Sequence, residues 1–227
     1  MTSVALEGFH AVKHALRFAP TLVSEVVATS EGRARDLCAD LAPDIVEALL
    51  ARLRIDDVDH PTGVRGVASR PAEDRSVLAR RTTPLVVLDD PRHPGNAGAA
   101  IRVAAAAGAS GVALLGALDP WHPAVLRGSA GLHYALPVLA CAVPELVGPV
   151  IALDADGEPW QGLPDDAILV VGSERAGVSP EALARADRVV SLPMRPGVSS
   201  LNLATALSAA LYAWRLNRPV DGHPLPP

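Results

Sequence analysis

Short apolar runs alternate with longer amphipathic stretches along the second half of this chain. Residues 85–88, 111–115, 150–153, 167–171 and 188–191 are β-branched or aliphatic runs, four or five residues long, each succeeded by turn-forming residues. Runs of that length between turn signals predict buried strands. Between them, residues 97–107, 124–128, 180–186 and 201–217 carry helical spacing. Strands alternating with helices predict an α/β fold with a parallel sheet covered on both faces. Upstream, residues 11–18, 30–42 and 44–53 predict helices, with strands at 22–28 and 64–68, which together make a small α/β unit. The stretch SRPAEDRSVLARRTTP separates the two halves and predicts a polar connector with at most one helical turn. The expected organisation is a small domain over residues 1–72, a linker over 73–83, a larger domain over 84–220 and a tail over 221–227.

Composition narrows the class. The 227 residues are 49% hydrophobic and 20% charged, which describes a packed globular chain with a real core. No apolar run is long enough to span a bilayer. The N-terminal MTSVALEGFHAV lacks a basic stretch leading into an apolar core, so a cytoplasmic protein is expected. Cys38 and Cys141 have no framework or metal spacing, in keeping with a reducing compartment. The seven histidines are scattered; His10 and His14 share a helix face without a third ligand, and no metal is expected.

Charge adds a constraint. Lys+Arg is 20 and Asp+Glu is 25, a net charge of −5. That excludes a broadly basic nucleic-acid coat and leaves room for a local basic groove. Lys13 is the only lysine, so nearly every cation is a guanidinium, the better fork for phosphate; codon bias towards Arg explains the same composition. Aromatic residues at 3% argue against a stacking platform for single strands.

In parallel α/β sheets ligands sit beyond the carboxyl ends of the strands, so the loops there carry the chemistry. The first loop runs through LDDPRHPGNAGAAIRVAAAAGASG, residues 88–111. Asn96 stands where a helix N-cap is expected. Gly98 and Arg102 are four apart and share a helix face, the glycine clearing space beside the guanidinium. Ile101, Ala104, Ala105 and Gly108 form a small-residue face suited to packing on the sheet. The second loop, ILVVGSERAGVSPE, ends a strand at Gly172 and places Glu174, Arg175 and Gly177 ahead of a helix capped by Ser179. The third, residues 190–214, breaks at Pro193 and leads into a helix with a core stripe of Leu203, Leu207, Ala210, Leu211 and Trp214. Ser199 or Ser200 is the expected cap, with Asn202 in the first turn, whose free N–H groups can hold a polar ligand. The chain contains no GxGxxG, GxxxxGK[ST], GxSxG or HExxH.

Taken jointly the three loops resemble the motifs of the SpoU/TrmH branch of the SPOUT RNA methyltransferases. The matching residues are Asn96-Ala-Gly98-Ala-Ala-Ile-Arg102, then Gly172-Ser-Glu174-Arg-Ala-Gly177, then Leu192-Pro193-Met194, Gly197 and Ser200-Leu201-Asn202. GSAGLHYALPV, residues 128–138, resembles the small-residue segment after the family's second strand. LEGFHAVKHAL and HPTGVRGVA resemble, more loosely, the ends of the ribosomal-protein-like substrate-binding domain often found in the family. Arg175 departs from the glycine many relatives carry.

The resemblance implies a C-terminal deep trefoil knot, an exception to the unknotted rule. It implies S-adenosylmethionine held in a bent pose by Gly172, Leu192, Met194 and Leu201, and a homodimer with the active site at its interface. The implied reaction is methyl transfer to a ribose 2′-hydroxyl in tRNA or rRNA. Arg102 is the implied base or activator, with Asn96, Glu174, Ser200 and Asn202 positioning it and the nucleotide. A free Arg has a pKa above about 12 and is a poor base near neutrality, so a charged Arg102 that orients phosphate and 2′-oxygen stands beside the base role. RNA contact is expected from Arg92, Arg127, Arg175 and Arg195 as well as Arg102, with Arg70, Arg75, Arg80 and Arg81 nearby. The alternatives are a non-catalytic RNA- or ribosome-binding protein on the same fold and, against the absent glycine fingerprint, a dinucleotide-dependent oxidoreductase.

Overall fold

The computed structural model describes residues 2–173 and 175–218. The tail over 221–227 and Glu174 lie outside them. Two sheets organise the chain. The first has four strands, β1 (Ser3–Glu7), β2 (Val23–Ala28), β3 (Leu53–Ile55) and β4 (Val64–Ser69), in the order β1-β4-β2-β3. β4 is antiparallel to both β1 and β2, and β2 runs parallel to β3. Helix α1 (Gly8–Phe18) buries Phe9, Val12 and Leu16 in a core with Leu6 and Val26. Helices α2 (Glu31–Leu41) and α3 (Val46–Leu50) add Ala34, Cys38 and Leu49 to it. The helix expected over 44–53 is shorter: a 3-10 turn (Pro43–Ile45) precedes α3, and Leu53 opens β3. Arg52 ends α3 by donating to the carbonyls of Ala48, Val23 and Pro20 at 2.8–3.0 Å, which turns the chain onto the sheet.

The second sheet has six parallel strands: β5 (Leu85–Asp89), β6 (Gly111–Leu115), β7 (Val138–Ala140), β8 (Val150–Pro159), β9 (Ile168–Val171) and β10 (Arg188–Ser191). Their order is β10-β8-β9-β5-β6-β7. Every residue of β5, β6 and β9 is buried, which is why they read as unbroken apolar runs. Helices α4 (Pro94–Ala107) and α7 (Leu203–Arg215) cover one face through Ile101, Ala104, Leu207, Leu211 and Trp214. Helix α6 (Pro180–Arg185), with Val77 and Leu78, covers the other. The chain leaves β5 in one direction for β6 and β7, and the later strands fill the other side. The switch point between β5 and β9 is where such sheets open a crevice.

The connector is packed rather than solvated. A 3-10 turn (Arg75–Leu78), capped by Asp74, buries Val77 and Leu78 under the second sheet. Arg75 pairs with Glu73 and Glu145, and Arg81 donates to the carbonyls of Leu78, Val147 and Asp166. Both guanidiniums thus fasten the connector to the second sheet.

Helix α5 (Pro123–Gly128) and the turn after it join the two halves. Gly98 of α4 lies so close to α5 that a Cβ there would stand 2.5 Å from the Val125 carbonyl oxygen and 2.7 Å from the Gly128 Cα. The glycine therefore serves helix contact, and Arg102, one turn on, is exposed rather than seated beside it. Gly131 abuts α1 in the same way, a Cβ there lying 2.8 Å from the Ala11 Cα. His14 Nδ1–H donates to the Ala130 carbonyl at 2.7 Å. Trp121, Leu126 and Tyr134 enter the core of the first sheet, and Arg70 lies over the Trp121 ring at 5.5 Å. A cavity of about 330 Å³ remains between Arg70, Trp121 and β7. Among the described residues no helix is long and apolar enough to cross a membrane, and no cluster of three or more potential ligands could hold a metal.

His133 is buried at this junction. Its Nε2–H donates to the Pro120 carbonyl at 2.8 Å, and its Nδ1 lies 2.8 Å from the Ser129 hydroxyl, which also reaches the Leu126 carbonyl at 2.9 Å. Burial holds the imidazole neutral and lowers its pKa to about 4. The unfolded chain binds this proton near pH 6.5, so stability is lost as pH falls from about 6.5 towards about 4, by at most about 1.4 kcal/mol per pH unit. Urea unfolding at pH 7 and pH 5 should therefore show a smaller difference for His133→Gln than for the wild type, although the variant is less stable at both. Gly98→Ala gains about 1 kcal/mol of helix propensity but forces two backbones apart, so a net loss of about 1–3 kcal/mol is expected in the same assay.

Candidate active site

A crevice of about 390 Å³ opens beyond the carboxyl ends of β9 and β10 and beside the polar half of β8. Two loops and one strand build it. The β9 loop contributes Gly172, Ser173, Arg175, Ala176 and Gly177; the β10 loop contributes Leu192, Met194, Ser199, Ser200 and Leu201; and the middle of β8 contributes Leu153, Asp154, Ala155 and Asp156. Leu203 and Ala206 of α7 close the floor.

Each loop has a local reason for its shape. In the β9 loop, Ser173 and Gly177 exchange two backbone hydrogen bonds of 3.0 Å, and Gly177 has φ +67°. A side chain on Gly172 would collide with the Gly177–Val178 backbone, so only glycine closes this turn. The buried Asp89 carboxylate, at the end of β5, accepts the Ser179 N–H at 2.6 Å and pins the loop to the centre of the sheet. Ser179 caps α6 as expected, accepting from Ala182 N–H. In the β10 loop, Val198 N–H donates to the Arg195 carbonyl and Gly197 has φ +88°, which turns the chain back over the crevice towards α7.

Two caps differ from expectation. Helix α4 starts at Pro94, whose ring fixes φ for the first helical position, so His93 is the N-cap and Asn96 sits within the first turn. Helix α7 is capped by Asn202, whose side-chain oxygen accepts from Ala204 and Thr205 N–H; Ser199 and Ser200 line the crevice instead. The two displaced asparagines meet: Asn202 Nδ2–H donates to Asn96 Oδ1 at 3.3 Å. The first and third motifs therefore touch through their polar residues.

Gly172, Leu192, Met194, Ser200, Leu201 and Arg175 are brought to one crevice. Arg102 is exposed on α4 and does not line it; its electrostatic neighbours are His10 and Lys13 of α1. Arg92 pairs with Asp90 at 2.7 Å, Arg127 pairs with Glu7, and Arg195 is exposed in the β10 loop. Sequence reasoning passed over Asp154 and Asp156. The rule that found the other loops, inspecting the residues just beyond each strand, reaches them too, because β8 runs straight out of its apolar half into Asp-Ala-Asp-Gly.

This constellation on a six-stranded parallel sheet is that of a SpoU-type methylase. The sequence profile of the SpoU rRNA Methylase family matches residues 83–212, and the chain belongs to that family. The 23S rRNA (guanosine(2553)-2′-O)-methyltransferase of Bacillus subtilis is 30% identical over 92% of this chain and 87% of its own length. The 23S rRNA (uridine(2479)-2′-O)-methyltransferase of Streptomyces viridochromogenes is 34% identical over 76% of this chain and 64% of its own length. The crystal structure of the SpoU methyltransferase AviRb from Streptomyces viridochromogenes, in complex with AdoMet, superposes with a TM-score of 0.75 at 26% identity. The match covers 93% of this chain and 88% of that one.

Asn202 has two duties that substitution separates. Asn202→Ala removes the cap of α7 and should cost about 1 kcal/mol in urea unfolding. Asn202→Asp keeps the capping oxygen and should retain most of that stability while losing the donor to Asn96.

Proposed function

We propose that the protein transfers the methyl group of S-adenosylmethionine to a ribose 2′-hydroxyl of ribosomal RNA. The observation that carries this reading is the convergence of Gly172, Leu192, Met194, Ser200 and Leu201 on one crevice in a SpoU-family chain. The crevice suits the cofactor chemically. Leu192, Met194, Leu201 and Leu203 offer an apolar wall for a purine, the turns at Gly172 and Gly177 bring backbone polar groups to the rim, and Asp154 and Asp156 offer carboxylates to a cation. The relatives' activities on 23S rRNA favour ribosomal RNA over tRNA, and the AdoMet-bound neighbour supports the cofactor.

Bound S-adenosylmethionine supplies a methyl already activated on a sulfonium. The chain's own residues then have to exclude water, hold the nucleotide and manage the hydroxyl proton. Arg102 is exposed and carries its charge beside Lys13 and His10, which favours the role of orienting a phosphate and the 2′-oxygen. Asn96 and Asn202 position the nucleotide with Ser200. Glu174 keeps its proposed place in this set on the motif alone. Arg175 and Arg195, exposed and without ion pairs among the described residues, are free for RNA phosphates. Arg92 and Arg127 hold exposed pairs that a phosphate can exchange at small cost.

A homodimer belongs to this reading, because Arg102 does not line the crevice of its own chain and a second copy would complete the site. Exposed Val198, Leu201, Tyr212 and Leu216, in and around α7, support such an interface. The deep trefoil knot belongs to it as well, supported by α7 returning from edge strand β10 to pack on α4. The domain limits of 1–72, 73–83 and 84–220 are supported by the two separate sheets and by a family match that begins at residue 83.

The test is transfer of tritium from labelled S-adenosylmethionine to ribosomal RNA and, separately, tRNA, with the modified nucleotide mapped by mass spectrometry. Label on a ribose of rRNA is expected, with Arg102→Ala reduced about 10²-fold or more. RNA binding without any binding of S-adenosylmethionine would favour the non-catalytic binder. Equal rates for Arg102→Ala and wild type would remove the role given to Arg102.

A further inference from the structure

The crevice is unevenly charged. Among its described lining residues Arg175 is the one cation, against the carboxylates of Asp154 and Asp156. Neither carboxylate has an ion pair among the described residues. Asp154 is half-buried, and its Oδ1 accepts the Asp156 backbone N–H at 3.1 Å, which fixes the side chain where β8 leaves its apolar half. Its Oδ2 faces the β9 loop, 3.3 Å from where a Cβ on Gly177 would stand. A fixed, half-desolvated carboxylate without a cation invites a positive ligand group more strongly than an exposed one does.

We infer that Asp154 reads the positive charge of the methyl donor, so that the crevice holds S-adenosylmethionine more tightly than the demethylated product. This rests on the proposed function. The donor carries a sulfonium, an ammonium and a carboxylate, and so a net charge of about +1 near neutrality. When the methyl leaves, the sulfur keeps the bonding electron pair and becomes a neutral thioether, while the ammonium and carboxylate persist with no net charge. A carboxylate near this position loses part of its attraction at the moment of transfer, which favours exchange of product for fresh donor. Asp154 acts here as a cofactor-positioning and discriminating residue, with no part in the proton transfer. Asp156, more exposed, adds a weaker contribution of the same sign.

The test is calorimetric titration of wild type and Asp154→Asn with S-adenosylmethionine and with S-adenosylhomocysteine, in low and high salt. Asparagine keeps an oxygen for the Asp156 N–H, so the turn should survive; a thermal melt checks it. The expected result is an affinity loss of about threefold to tenfold for the donor and less than twofold for the product. In the unaltered protein, donor affinity should also fall more steeply with salt than product affinity, a readout that does not depend on the variant folding. Equal losses for both ligands would overturn the inference, placing the carboxylate against the shared ammonium. So would no loss for either, or identical salt slopes. Wild-type protein that binds neither ligand would overturn the proposed function itself and this inference with it.

Discussion

Two backbones can approach within contact distance only where no side chain intervenes, and this protein depends on that contact at Gly98 against Gly128. It sets the distance between α4 and α5, and hence where the N-terminal turn of α4 lies over the sheet. With α4 held there, Asn96 reaches Asn202 at the cap of α7 and the first and third motif loops meet. The same segment, continued to Gly131, presents its backbone to Ala11 of α1 and seats the first sheet against the second. A single short stretch of small residues thus fixes the motif loops and the domain junction together. A methyl group added there moves both.

The arginines do different work, and several, such as Arg17 with Asp44, Arg54 with Glu25 and Arg92 with Asp90, pair with carboxylates at the surface. Arg52, Arg81 and Arg185 spend most of their donors on carbonyl oxygens at the ends of strands and helices, where the backbone has no partner of its own. Arg102, Arg175 and Arg195 remain exposed and, among the described residues, without ion pairs. A net charge of −5 is therefore compatible with RNA contact, because exposed guanidinium groups without ion pairs remain available for phosphate.

The parallel sheet was legible because its strands are buried on both sides. Leu85, Val86, Val87 and Leu88 have no polar alternation to confuse, and β6 and β9 read the same way. Strands β1, β3 and β7 were not, since β1 is half exposed and the other two are three residues long. The motif stretches follow the strands as expected, but the local roles of their residues obey cap chemistry that competes among neighbours. Pro94 took the helix start from Asn96, and Asn202 took the cap from Ser199 and Ser200. Helical spacing puts Gly98 beside Arg102 because it shows which residues share a face and never shows what faces them. The partner, Gly128, lies far along the chain, on another helix, and only the fold reveals it.

The crevice and the arginine of the first motif occupy separate surfaces of one chain, and that separation has a physical use. A site for a cationic methyl donor works best with carboxylates nearby, as at Asp154 and Asp156, whereas a site for an RNA backbone needs guanidinium groups. Placed together on one loop, the two sets would neutralise each other as ordinary surface ion pairs, the state already seen for Arg92 with Asp90 and Arg127 with Glu7. Arg102 on α4, beside Lys13 and His10, stands away from the acidic rim of its own chain's crevice, so the two fields do not cancel within one chain.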